Sequence, residues 1–243
     1  MNVDVDRYLN RIGYSGAREP TAATLRALHV AHMCTVPFEN LSVRRGERIV
    51  LDEAALFDKV VVRRRGGFCY ELNGLFAALL ESLGFRVDRL AARVGVDGID
   101  FDHMALRVEV GGAAMLADVG FGDSFLTPLA LRTNEKQAGG DERVYRISKD
   151  YELARYDDGE WKRQYAFTLK PWPLAAFADG CAYHSTSPAS HFTQNTVVSL
   201  ATPTGRVTLS ERRLIVTDRG ERRETAIDDV AAFDAALARH FGM

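Results

Sequence analysis

At Gly84 the apolar period of the chain changes, and the change constrains what each side of it can fold into. Upstream, Leu72, Leu75, Phe76, Leu79, Leu80 and Leu83 recur at three- and four-residue intervals. They form one broad face of a helix that follows Cys69 and stops at Gly84. Thr21 stands where it can cap an earlier helix carrying Leu25, Leu28 and His32, and Asp52 another carrying Ala55, Leu56 and Val60. Downstream the period is two. Leu90, Ala92, Val94 and Val96 alternate with Ala91, Arg93 and Gly95, and Met104, Leu106, Val108 and Val110 with Ala105, Arg107 and Glu109. Gly111-Gly112 then gives a two-residue hairpin signal, with the return strand over residues 113–119.

Further short strands are expected at 144–147, 151–156 and 161–169, which makes the middle third an antiparallel sheet or barrel. Pro171-Trp172-Pro173 marks a break, followed by a short helix at 174–179 and the Ser/Thr-rich run HSTSPASHF. Strands at 197–200, 206–209, 212–217 and 222–227 form a last small sheet. Asp228 or Asp229 opens a closing helix with Val230, Phe233, Leu237 and Phe241 on its apolar face. Only residues 133–142 read as flexible, and no internal repeat is present. The expected fold class is α+β, in three parts: a helical bundle (1–84), a central antiparallel β-barrel (85–190) and a C-terminal α/β lid (191–243).

Composition narrows the function classes. With 47% hydrophobic and 26% charged residues among 243, the chain reads as soluble and globular, and a net charge of −2 gives no global field for nucleic acid or an acidic membrane. The N-terminus MNVDVDRYLNRIGY lacks the basic and apolar regions of a secretory signal, and no run approaches a membrane span. Cys34, Cys69 and Cys181 are odd in number and far apart, which argues against disulfides and structural zinc and fits a reducing cytoplasm. A small-molecule partner is expected, with no nucleic acid, membrane or metal, for a monomer or homodimer.

Cys69 sits in RRRGGFCYELNGLF, between paired glycines and an amphipathic helix. Gly66 and Gly67 allow main-chain N–H groups to approach a ligand oxygen, as an oxyanion site requires. In the first turn of a helix, unpaired N–H groups and the positive dipole end favour thiolate, and Arg63, Arg64 and Arg65 add positive charge. The bland alternative is a buried small hydrophobe. Cys34 reads as core, and Cys181 as core or pocket wall.

The hairpin supplies the rest of a nucleophilic site. If Gly111-Gly112 is a two-residue turn, Val110 opposes Ala113, and counting outward His103 opposes Gly120 and Ala105 opposes Asp118. His103 and Asp118 then share a face as diagonal neighbours, ~7–8 Å apart at the backbone, a span their side chains can bridge. One imidazole nitrogen takes the thiol proton while the carboxylate fixes the tautomer. A three-residue turn or a bulge would put the pair on opposite faces.

These residues resemble the arylamine N-acetyltransferases. The carriers are PFENL (37–41), RGGFCYELN (65–73), HMALRV (103–108), DVGFG (118–122) and HSTSPASHF (184–192). The resemblance implies a bundle, barrel and lid around a cysteine-protease or transglutaminase-like core, with Cys69, His103 and Asp118 as the catalytic triad. It implies acetyl-CoA as acyl-donor co-substrate, ping-pong transfer to an arylamine, hydrazine or arylhydroxylamine, and a place in xenobiotic metabolism. By position, Phe38, Phe121 and Phe125 are candidate walls of the acceptor pocket, and Gly122, Tyr183 and Ser187 candidate CoA contacts. His184 and His191 are read as hydrogen-bonded or surface residues, and Arg65 is paired with Glu39. The loop ahead of His103 is short and the chain stops soon after its last helix, so acceptor access is expected to differ from the usual. An amide synthase of the same fold and a cysteine hydrolase are the alternatives.

Overall fold

The computed structural model describes residues 3–132 and 134–243. Thr133, at the start of the segment read as flexible, lies outside the described residues, as do Met1 and Asn2 of the N-terminal reading. The first third is mostly helical: α1 (Val5–Arg11), α2 (Ala22–Met33), α3 (Leu41–Arg44), α4 (Glu53–Phe57) and α5 (Cys69–Ser82). The expected caps are in place. Thr21 accepts from the Thr24 N–H at 3.1 Å, and Asp52 from those of Ala54 and Ala55. Gly84, with φ of 86°, follows the end of α5 in the left-handed region that glycine tolerates. One strand within this third, β1 (Phe38–Glu39), has no period long enough to show in the sequence.

Eight strands form the second body: β2 (Arg86–Val94), β3 (His103–Val110), β4 (Ala113–Ala117), β5 (Leu129–Ala130), β6 (Gln137–Ala138), β7 (Val144–Ile147), β8 (Glu152–Asp157) and β9 (Glu160–Trp172). Their order, β5-β4-β3-β2-β9-β8-β7-β6, curls into a nearly closed antiparallel barrel. The Gln137 side chain spans the gap, accepting from the Ala130 N–H at 2.7 Å and donating to the Ala130 carbonyl at 2.8 Å. Residues read as flexible therefore include the closing strand β6. The hairpin has the expected register, Val110 opposite Ala113 and Leu106 opposite Ala117, and its turn places both Gly111 and Gly112 at positive φ.

Two local expectations need correction. β9 runs through Pro171 and ends at Trp172, because Pro171 lies beside a register shift against β2 where no ladder N–H is required, so the break falls at Pro173. The short helix at 174–179 is a 3₁₀ turn, Leu174–Phe177, continuing into α6 (Ala178–Thr186), so the HSTS residues belong largely to a helix end. α7 (His191–Gln194) follows.

The last sheet runs β1-β10-β11-β12-β13, with β10 (Val197–Thr202), β11 (Gly205–Ser210), β12 (Arg213–Asp218) and β13 (Glu221–Ala226). α8 (Val230–Phe241), capped by Asp229, packs Leu237 and Phe241 beneath it. Val230 is not on that apolar face: at the first turn it projects into solvent, 75% exposed. One core unites the bundle with Met104, Leu106 and Val108 of β3, a second fills the barrel, and a third lies under α8. β1 pairs with β10 on one side and bridges to Gly67 on the other, so the last sheet abuts the loop that leads into Cys69.

Candidate active site

Cys69 is the first residue of α5 and is 4% exposed. The helix start is fixed by Glu71, whose carboxylate accepts the Phe68 N–H at 3.2 Å and pairs with the buried Lys59 ammonium at 2.7 Å. The paired glycines serve close packing. A Cβ on Gly66 would lie 1.9 Å from the Pro37 carbonyl oxygen, and one on Gly67 would lie 2.7 Å from the Glu71 carboxylate. The Gly67 N–H is itself directed to the Pro37 carbonyl. Arg65 pairs with the fully buried Glu39 at 2.8 Å, as read from the sequence. The thiol also departs from expectation: burial pushes it well above its ordinary value, and a backbone hydrogen bond from Met104 draws it only part of the way back. A preformed thiolate is disfavoured, so the proton needs a base at the moment of attack.

A candidate base is held at the start of β3. The His103 Nε2 meets Asp118 Oδ2 at 2.8 Å, the diagonal pairing the two-residue turn dictates, and both side chains are enclosed. Asp118 accepts three further bonds: from the Tyr165 hydroxyl at 2.9 Å, the Asn73 amide at 2.8 Å and the Gly120 N–H at 3.0 Å. Burial pushes the carboxyl up, but His103 and these donors outweigh it and hold Asp118 below the usual carboxylate range. Hydrogen bonds to a charged group contribute about 1.5–3 kcal/mol each, enough together to offset the several kcal/mol that an enclosed carboxylate costs. Burial likewise raises Tyr165 well above its ordinary value, with Asp118 adding to it, so the phenol remains a neutral donor. Phe121 stands edge-on to the His103 ring at 5.1 Å and Tyr165 lies against it at 4.9 Å, which fixes the ring plane.

Asn73 and Tyr165 were not singled out in the sequence. Asn73 sits one helical turn beyond Cys69, a visible signal, and its side chain also donates to the Met104 carbonyl at 2.6 Å and accepts from the Val119 N–H at 2.9 Å. It joins α5 to both strands of the hairpin. Gly120 packs directly on this junction, where a Cβ would lie 2.7 Å from the Cys69 Cα.

The remaining candidates are more dispersed. Phe38, 8% exposed, contacts the space beside Gly122 and the ring of Phe192. Phe125 is enclosed within the barrel, stacked on His29 at 5.7 Å. Gly122 has φ of 85°, and its carbonyl is held by Arg206 of β11. Tyr183 lies half-buried in α6, and Ser187 follows that helix with its N–H on the Tyr183 carbonyl. Their segment reaches the start of β3 through His184, whose Nε2 meets Asp102 at 2.7 Å and whose Nδ1 meets the Ser190 hydroxyl at 3.1 Å. His191 is exposed and bonds Asn195. Among the described residues, no three His, Cys, Asp or Glu side chains are grouped to hold a metal, and no helix is long and apolar enough to cross a membrane.

The sequence model of an N-acetyltransferase family matches residues 21–243. An arylamine N-acetyltransferase of Mycolicibacterium smegmatis is 39% identical over an alignment covering 100% of this chain and 93% of the relative. The chain belongs to the arylamine N-acetyltransferases. The solved arylamine N-acetyltransferase of M. tuberculosis superposes with a TM-score of 0.93 at 36% identity, covering 99% of this chain and 93% of that one. That of Mycobacterium marinum, determined in complex with CoA, gives a TM-score of 0.92 at 36% identity, with 98% and 92% covered. As an arylamine N-acetyltransferase, the protein is an acyltransferase, and its α+β fold with a near-closed barrel is that of the solved members.

Proposed function

We propose that the enzyme transfers acetyl groups from acetyl-CoA to arylamines, hydrazines or arylhydroxylamines by a ping-pong mechanism through an acetyl-Cys69 intermediate. The observation that carries this reading is the His103 Nε2 bond to Asp118, which leaves Nδ1 as the basic nitrogen of the ring, while Asn73 of α5 ties the same carboxylate to the helix that begins at Cys69. Nδ1 takes the thiol proton as Sγ attacks the thioester carbonyl, and Asp118 stabilises the imidazolium. The tetrahedral adduct collapses by breaking the bond to the CoA sulfur, which leaves with the proton from Nδ1. An acceptor nitrogen then attacks the acetyl carbonyl and loses its proton to Nδ1, which returns it to Sγ as the amide departs.

In this reading residues 1–84 supply the nucleophile, 85–190 the base and carboxylate, and 191–243 the lid. Phe38 and Phe121 face the acceptor with Phe125 behind them, while Gly122, Tyr183 and Ser187 contact CoA. The CoA complex of the M. marinum relative supports CoA as the donor's carrier. Incubation with acetyl-CoA and no acceptor should place one acetyl group on Cys69 by mass spectrometry, and the Cys69→Ala protein should acquire none. A folded, unmodified wild-type protein would rule the mechanism out. A panel of arylamines and hydrazines, followed by release of free CoA, then identifies the acceptor class.

A further inference from the structure

The carboxylate of Asp118 is accounted for by its four partners, but its backbone is held by a group outside the triad. The Asp118 N–H points at His29 Nε2, 3.1 Å away, and His29 Nδ1 lies 2.9 Å from the Leu126 carbonyl oxygen. Both bonds are buried, and His29 is 0% exposed. The partners fix the proton without further assumption: an amide N–H can only donate and a carbonyl can only accept, so Nε2 is bare and Nδ1 carries the hydrogen. Charging the ring would place an N–H against the Asp118 N–H. Burial acts in the same direction, lowering His29 to about 4.

Residues 118–126 carry Phe121, which stands against His103; Gly122 and Asp123, which meet Arg206; and Phe125, which stacks on His29 itself. One imidazole therefore grips the first N–H and the last carbonyl of this segment. We propose that His29 is a positioning residue of the enzyme: in its neutral Nδ1–H form it staples both ends of the active-site loop and sets the backbone from which Asp118 addresses His103. The ring comes from α2 of the helical bundle, while both its partners belong to the barrel body, so the geometry of the acid–base pair is set across the boundary between them. The inference rests on the reading of Asp118 as the orienting carboxylate.

The proton can be located directly by long-range 1H–15N correlation on the wild-type protein at pH 7, with His29 assigned by loss of its signal in His29→Gln. A bare Nε2 and a protonated Nδ1 are expected. A protonated Nε2 overturns the proposal. Activity gives the second readout, with acetyl-CoA and an arylamine. His29→Phe keeps the ring volume and the stack on Phe125 but offers Asp118 no acceptor, and kcat should fall roughly ten- to hundredfold, the scale of a small misplacement of reacting groups, with little change in KM. His29→Gln, which retains an acceptor, should recover most of the loss. Full kcat in His29→Phe overturns the proposal; if that protein does not fold, the tautomer of His29 in the wild-type protein decides it alone. Absence of an acetyl adduct on wild-type Cys69 overturns the triad reading and this one together, whereas an adduct with the wrong tautomer overturns this one alone.

Discussion

Two His–Asp pairs lie side by side in this enzyme, and their distances do not tell them apart. His103 meets Asp118 at 2.8 Å and His184 meets Asp102 at 2.7 Å, with Asp102 and His103 adjacent in the chain. They differ in the second nitrogen. In the His184 pair, Nδ1 is occupied by Ser190, which also accepts the Phe192 N–H at the start of α7, so the imidazole is a strut between the α6–α7 segment and the residue that precedes β3. In the His103 pair, no hydrogen bond among the described residues engages Nδ1. A carboxylate orients an imidazole equally well for structure or for chemistry, and the free nitrogen decides which.

The sharpest way to break this contrast is to apply one substitution to both histidines. His103→Gln is expected to lower kcat by about 10⁴-fold, the scale on which triads lose function when the base is disabled. His184→Gln should leave kcat within a few-fold while raising KM for acetyl-CoA and lowering stability by about 1–3 kcal/mol, from an enclosed Asp102 left with a weaker partner. Comparable losses of kcat in both would erase the distinction.

Thiol chemistry probes the free nitrogen next. Burial holds Cys69 above its ordinary value of 9.0, so in His103→Gln the alkylation rate at pH 7 should lie more than about 10²-fold below its high-pH limit and still rise past pH 9. Wild-type protein, with His103 to receive the proton, should reach its plateau at lower pH. Identical pH profiles would remove His103 from the role of base.

His29, which has no carboxylate partner, provides a third case. Its value falls from 6.5 to about 4 on folding, chiefly by burial. The unfolded chain therefore binds the extra proton first, and stability is lost as pH drops from about 6.5 towards 4. The loss at pH 5 is about 2 kcal/mol from this group. His32, pushed down in the same direction by burial, adds to it. Denaturant titrations of wild type and His29→Gln at pH 7 and 5 should show a shallower dependence in the variant. The smallest effect is expected from Tyr165→Phe, which removes one of four donors to Asp118 and should reduce kcat by only a few-fold, measured at saturating acetyl-CoA.

The sequence showed the His103–Asp118 pairing because a two-residue turn dictates register, and register dictates faces; the two residues needed nothing beyond the hairpin that leads from one to the other. It was silent on Tyr165 and His29 because these reach Asp118 from 47 and 89 residues away, through packing that no local period records. The caps Thr21, Asp52 and Asp229 were legible for the reason the hairpin was, as short-range hydrogen bonds. Gly66 and Gly67 were noticed, but not what packs against them. Small residues reveal that something approaches closely, and only the folded chain shows that it is the Pro37 carbonyl and the Glu71 carboxylate. Asn73 lay between these cases, visible by its spacing from Cys69 yet with partners on strands that the helix pattern does not name.

A barrel whose last gap is spanned by the side chain of Gln137 has a seam. Backbone ladders secure its other junctions, but β5 and β6 are two residues each and meet through one amide. Breathing should begin there, and amide hydrogens of β5 and β6 should exchange with solvent well before those of β2, β3 and β9. The seam adjoins the far end of the stapled loop, where the Leu126 and Thr127 N–H groups both donate to the Gly139 carbonyl. A bulky acceptor that strains the barrel wall would thus find its most compliant stretch there, remote from the central strands β2, β3 and β9.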